Sequence, residues 1–319
     1  MSGTSHPPHM AAEASPLNNP KEEGHEARES LLASHGGASA SQASEPGPID
    51  WWGAIPWVLC HLAVLAVVLT GITWQSVIVC AFLYVVRIFG VTAGYHRYFS
   101  HRAYKTSRWF QFVLAWLAQS SAQKSVLWWA AHHRHHHLHS DGPEDRHSPV
   151  RRGFWEAHIG WIFRKAADAT DLRRVADLAK YPELLWLHRY WLLPPIVLAV
   201  VVFLLFGWSG LVVGFFLSTV LTWHATYSIN SLSHVWGTRR FETKDASRNN
   251  FLLALITLGE GWHNNHHRYM NAARCGFYPS ELDLTYLGLR LLEFFGIVWD
   301  LKPVPEAILN EGRKMKRMN

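Results

Sequence analysis

The chain has 319 residues, 49% of them hydrophobic, with 17 Trp, 21 His and a formal net charge of +6. The hydrophobic residues come in blocks rather than at a helix or strand period, which excludes an ordinary water-soluble globule. Three cysteines without a CxxC pair exclude a disulfide framework and a thiolate zinc site, and no basic helix or stacking platform points to nucleic acid.

Residues 1–48 are rich in Ser, Ala, Gly, Pro, Glu and His without apolar periodicity, and predict a disordered N-terminal tail. Its His6, His9, His25 and His35 read as scattered polar residues. No basic start followed by an apolar core marks a secretory signal. Trp51 and Trp52 read as interfacial anchors at the start of the first apolar block. Residues 53–73 and 74–93 each approach the ~20 residues that a helix needs to cross a bilayer, and residues 191–207 and 209–228 form a second such pair. Short turns around Gly71 and around Gly207 to Gly210 join the members of each pair. The predicted fold is therefore an all-α membrane protein with four transmembrane helices in two hairpins.

Neither turn carries Lys or Arg, whereas 15 lie between Arg97 and Arg189 and 12 after residue 228. Basic residues stay on the cytoplasmic side. A membrane domain over 49–302 is predicted, with residues 94–190 and 229–302 forming a cytoplasmic helical cap and 303–319 a basic C-terminal tail. Such a topology makes the chain a multi-pass integral membrane protein, in the inner membrane of a bacterium or the endoplasmic reticulum of a eukaryote. Residues 109–131 are apolar but interrupted from Gln119 to Lys124, which predicts a helix against the cytoplasmic face rather than a fifth span. Residues 153–165 predict a second interfacial helix, and 241–262 a short helix. Arg151, Arg152, Arg164 and Lys165 form a basic cluster that suits an acyl headgroup or an electron donor, with lipid phosphate as an equal alternative.

Three histidine clusters fall on one side of the membrane in this topology: His96 and His101, His132 to His139, and His263 to His267. Positions i, i+3 and i+4 share a helical face. His263, His266 and His267 can therefore present three imidazoles together. The middle cluster offers two such sets, His132/His135/His136 and His133/His136/His137, which helical geometry cannot separate. His96 and His101 lie about 140° apart on a regular helix and are expected to straddle a helix end. Neutral imidazole is the commonest metal ligand, and eight or more ligands imply two ions. His61, His224 and His188 read as buried polar contacts. A metal transporter is the non-enzymatic alternative, but its ligands should lie within the spans.

The order H-x4-H, H-x2-H-H, H-x2-H-H resembles the integral-membrane fatty acid desaturases, most of all the acyl-CoA (stearoyl-type, Δ9) branch. The resemblance is carried by Thr92 to Arg102 (TAGYHRYFSHR), Trp129 to Asp141, Arg151 to Phe154 with His158 to Trp161, Asn230 to Gly237 (NSLSHVWG) and Gly259 to His267 (GEGWHNNHH). It spans about residues 50–300. It implies a di-iron centre with nine histidine ligands, His96, His101, His133, His136, His137, His234, His263, His266 and His267, with Asn230 reaching the metal through a water. The family pattern thus selects the second set in the middle cluster. From spacing alone His234 reads as a capping or core residue. The chain departs from the animal enzymes at His132 and at Trp128-Trp129, where they carry an acidic residue and a Glu-Trp pair. Both departures remove negative charge near the expected headgroup site.

Removing hydrogen from an unactivated methylene exceeds what side chains can do, so a metal must supply that step. The resemblance implies O2-dependent insertion of a cis double bond, of Δ9 type, into a saturated acyl-CoA. An acyl-lipid desaturase or a hydroxylase on the same scaffold is the alternative. The acyl chain would lie in a bent apolar tunnel lined by spans two and four. With no GxGxxG and no four-Cys cluster, electrons are expected from a separate donor, cytochrome b5 or ferredoxin with its reductase, docked at the basic face.

Overall fold

The computed structural model describes residues 47–318, so the predicted tail, with its four histidines, lies outside the described residues except for Gly47 and Pro48. The described chain is mostly helical. Three helical runs are long and apolar enough to cross a membrane: Trp51–Thr70, Trp74–Ser100 and Leu193–His234.

Helix α1 (Trp51–Thr70) ends at Gly71, and α2 (Trp74–Ser100) starts on a reciprocal cap between Thr73 and Ser76, with both bonds at 3.1 Å. From Gly90 the winding changes to a π-helix that runs to Ser100. A Cβ at Gly90 would lie 3.0 Å from Leu117 Cγ and 3.1 Å from the backbone of Ala118, so any larger residue would push back the next helix, α3 (Arg108–Gln119). The predicted interruption at 119–124 is a tight corner, with Ala122 (φ 56°) and Lys124 (φ 66°) in left-handed backbone. Ser125 then caps α4 (Val126–His139) by accepting from the Trp128 N–H at 3.1 Å.

The predicted interfacial helix over 153–165 divides into α5 (Phe154–His158) and a 3-10 turn, Gly160–Phe163. Helix α6 (Pro182–Arg189) leads into α7 (Leu193–His234), a 42-residue run broken at Gly207, whose φ of 63° and ψ of −158° are not helical. The predicted helix over 241–262 is confined to α8 (Phe251–Ile256). Three helices follow, α9 (His263–Arg268), α10 (Leu284–Phe294) and α11 (Glu306–Met318). A single antiparallel pair, β1 (Lys105–Thr106) and β2 (Val298–Trp299), departs from the all-α expectation.

The main core gathers around the π segment. Tyr95, Phe99, Leu114, Leu127, Leu184 and Leu289, from five helices, are almost fully buried in one cluster. Arg87 fastens α2 to α7: its guanidinium donates to Thr219 Oγ1 at 2.6 Å, to Ser218 Oγ and to the carbonyl of Leu83. A buried charge at that depth is tolerable only when its donors are used in this way. The segment 303–319, expected as a tail, instead carries α11. There Leu309 accepts from the Tyr278 hydroxyl at 2.8 Å, and Ile308 and Leu309 pack on Phe241 and Phe277.

Candidate metal centre

The π winding is what aligns the first histidines. Its i→i+5 bonding, seen in the His101 N–H donating to the His96 carbonyl at 3.2 Å, stacks residues five apart. His96 lies inside the helix and His101 caps its end, so the pair straddles that end as expected, and the π winding brings the two rings to 4.8 Å. Arg134 of α4 closes the end of that helix, donating to the carbonyls of Phe99 at 2.7 Å and Ser100 at 3.0 Å while pairing with Asp177 at 2.6 Å. It thereby holds α4 beside α2.

Helix α9 is too short to be stable alone, and its two asparagines pin it. Asn264 accepts from the N–H groups of Arg240 and Phe241, each at 2.8 Å, and Asn265 donates to Glu281 at 2.7 Å and to the carbonyl of Cys275 at 3.1 Å. Both face away from the histidines. In the stretch His263 to His267 the histidines and asparagines therefore divide the work, with imidazoles inward and anchors outward.

All nine predicted histidines meet in two groups. His96, His101, His133, His137 and His266 form the first; His136, His234, His263 and His267 form the second. In each, one ring nitrogen per residue lies within 4.8 Å of every other. Each adjacent doublet is shared out: His137 and His266 go to the first group, His136 and His267 to the second. The groups are thus neighbours, with the His137 and His267 rings 4.6 Å apart. Of the two overlapping sets in α4, the structure gathers His133, His136 and His137. His132 instead accepts from Arg146 at 3.2 Å, and His135 lies against the Glu144 carbonyl at 3.1 Å.

The Nε2 atoms converge. His101 and His133 are 2.8 Å apart, His96 and His266 3.0 Å, His137 and His266 3.0 Å, His133 and His137 3.1 Å, His234 and His263 3.1 Å. Four Nδ1 atoms face carboxylates: His96 with Glu260 at 2.6 Å, His267 with Asp245 at 2.7 Å, His234 with Asp141 at 2.9 Å and His136 with Asp145 at 3.1 Å. A neutral imidazole that donates through Nδ1 keeps a lone pair at Nε2. Several lone pairs then crowd one space, which hydrogen bonding among histidines cannot satisfy. The buried Nε2 of His267 has no hydrogen-bond partner among the described residues. A cation in each group removes the conflict, and carboxylates behind ligating imidazoles are the arrangement that fixes tautomer and ring. The donor set fits borderline transition ions such as iron, copper or zinc.

The electrostatics agree. Burial first, and then the neighbouring imidazoles, push His101, His133, His137, His263 and His266 well below the ordinary value. Burial also lowers His267, to about 4, against the opposing pull of Asp245. These rings are neutral, as ligation requires. Burial pushes the Glu260 carboxyl up, but His96 and Arg97 together outweigh it and hold the group at about 2. Asp141 is likewise held at about 2, with burial offset by the bond from His234.

A mostly apolar cavity of about 460 Å³ reaches this centre. Its wall runs from Asp50 and Trp57 past Trp129, His133 and Asn230 to Ala199 and Phe216. Of the two spans expected to line the tunnel, span four does, but no residue of α2 is on the wall; the other helical walls come from α1, α4 and the first arm of α7. Asn230 is placed on the cavity wall. Arg151, Arg152, Arg164 and Lys165 do not line it. Arg151 donates to the Asp141 carbonyl at 2.8 Å and Arg152 to that of Asp145 at 2.7 Å, steadying the loop that carries two of the carboxylates. Arg164 pairs with Glu156 at 2.7 Å, and Lys165 is exposed. Sequence patterns alone do not single out Asp145 or Asp245. Glu260 had a signal, lying three residues before His263.

The family model for fatty acid desaturases matches residues 72–277. The sn-1 stearoyl-lipid 9-desaturase of Anabaena variabilis is 34% identical over 257 residues, covering 80% of this chain and 94% of its own. The acyl-CoA C20 Delta5-desaturase of Anemone leveillei is 35% identical over 251 residues, with 77% and 79% covered. The probable acyl-CoA desaturase of Schizosaccharomyces pombe is 33% identical over 278 residues, with 82% and 58% covered.

Proposed function

Because the chain belongs to the fatty acid desaturase family, we propose that its two imidazole groups hold two iron ions and that it inserts a cis double bond, of Δ9 type, into a saturated fatty acyl chain. Bound iron, reduced by an external donor, would supply the O2-dependent removal of two vicinal hydrogens that no side chain can perform. The protein's part is positional. Nine imidazoles bind the ions, Asp141, Asp145, Asp245 and Glu260 orient the rings behind them, and Asn230 on the cavity wall reaches a metal through water. The observation that carries the reading is the mostly apolar cavity with His133 and Asn230 on its wall, which suits a chain of methylenes laid beside the metals.

The break at Gly207 supports reading Leu193–His234 as a hairpin, hence four spans, and the Lys and Arg distribution supports a cytoplasmic centre. The carrier is coenzyme A or a membrane lipid. Lys124 is the one Lys or Arg among the lining residues and is already paired with Asp168 at 2.8 Å, so a polyanionic coenzyme A would find little charge to bind. That favours the lipid. Electrons come from cytochrome b5 or ferredoxin with its reductase at the basic face.

The test is expression in a host without unsaturated fatty acids, with gas chromatography of its lipid and acyl-CoA pools. A new cis-monoene, lost with His263→Ala or His267→Ala, is expected. A hydroxylated product, or none from metal-replete protein, overturns the reading.

A further inference from the structure

Beyond the nine-histidine centre, we propose that His135, His139 and Glu144 form a separate, solvent-accessible site for a divalent ion of zinc type. His135 and His139 are i, i+4 on the last turn of α4, and their rings lie 4.5 Å apart on the side of the helix left unused by the cage. The turn after α4 folds back, with the Gly142 N–H donating to the His139 carbonyl at 2.6 Å, and delivers Glu144 to the pair. One donor atom from each of the three residues lies within 4.8 Å of the other two.

The Glu144 carboxylate stands 3.5 Å from His139 Nε2. Ligands at zinc bond lengths and tetrahedral angles are separated by about 3.4 Å, so this edge is already set. His139 and Glu144 are 29% and 44% exposed in their side chains, leaving room to close the remaining edges and a face for a water ligand. Two imidazoles and a carboxylate with an open fourth position form a donor set that zinc accepts. Arg146 and Arg174 lie near enough to act on His135. They weaken the site, so that occupancy follows the supply of the ion, in contrast to the closed cage. The turn that an ion would grip also carries Asp141 and Asp145, which hold His234 and His136.

Metal-loaded, untagged protein is titrated with Zn2+, with the resident metal measured in the same sample by mass spectrometry. One additional zinc per chain at micromolar concentration is expected, with the resident metal retained. His139→Ala and Glu144→Gln each weaken that uptake at least tenfold without changing resident metal or thermal midpoint. Co2+ gives tetrahedral visible bands in the parent that both variants lose. Equal uptake by parent and variants, no uptake, or zinc gained only as resident metal departs overturns the proposal.

Discussion

His132, His133, His135, His136 and His137 are consecutive imidazoles apart from Arg134, yet they face three different tasks. Separating them needed the family pattern, because each candidate set occupies one helical face. Variant chemistry separates them again. His133→Ala and His137→Ala should lose at least one metal ion per chain and all product, whereas His132→Ala should keep both. Metal content by mass spectrometry decides, and the reverse pattern would shift the register by one residue. Of the carboxylates behind the rings, Asp145 and Asp245 escaped the sequence because they lie on loops, where spacing carries no periodic signal. Asp245→Asn should cost roughly 10–100-fold in metal affinity, read by chelator competition. Proton linkage arises from the same burial. The unfolded chain takes up protons below the ordinary imidazole value of 6.5, while His267 stays neutral in the fold until about 4. Its contribution to stability is thus fully present above pH 6.5 and is lost as pH falls toward 4, and protons compete with metal over the same window. Bound metal and thermal midpoint should both fall between about pH 6.5 and pH 4.5. Constant values across that range contradict the assignment of neutral rings.

The apolar blocks of α1 and α2 and of both arms of α7 were legible because length and hydropathy alone define such runs, as were the corner after Gln119 and the break near Gly207. The winding of α2 was not. Regular geometry sets His96 and His101 about 140° apart, and nothing in Gly90 to Ser100 announces that i→i+5 bonding will stack them. Two features sustain it: glycine at position 90, which lets α3 approach, and Arg134, which takes up the carbonyls at its end. Gly90→Leu should therefore act on the metal as well as the fold. Overpacking there costs about 1–3 kcal/mol, and the displaced α2 carries His96 and is capped by His101, two histidines of one group. A lower thermal midpoint with reduced metal content is expected. Phe82→Leu, on the same helix at a position 62% exposed, should change neither. A Gly90→Leu protein with full metal content would show that the close approach does not hold the centre.

At the scale of the molecule, the chain ahead of α1 matters more than its composition suggests. A boundary after residue 48 is what low hydropathy predicts, but the described chain is already fastened at Gly47. The Lys165 N–H donates to the Pro48 carbonyl at 3.1 Å, Arg164 to that of Gly47 at 3.1 Å, and the Asp50 N–H to Phe163 at 2.6 Å. These bonds clip the start of α1 to the 3-10 turn beyond α5, and Asp50, Gly53, Ile162 and Phe163 all line the cavity. Backbone pairing of this kind is invisible to a reading of side-chain patterns. It predicts a sharp edge in a truncation series. Removing residues 1–46 should leave metal content, turnover and thermal midpoint as they are. Removing residues 1–50 deletes those three hydrogen bonds and the one from the Ala54 N–H to the Asp50 carbonyl, worth about 1 kcal/mol each, which should lower the midpoint by several degrees and raise the Michaelis constant for the acyl substrate while the metals stay bound. The comparison is thermal unfolding in detergent beside product formation in vesicles. If both truncations behave alike, the clip holds neither the fold nor the cavity wall.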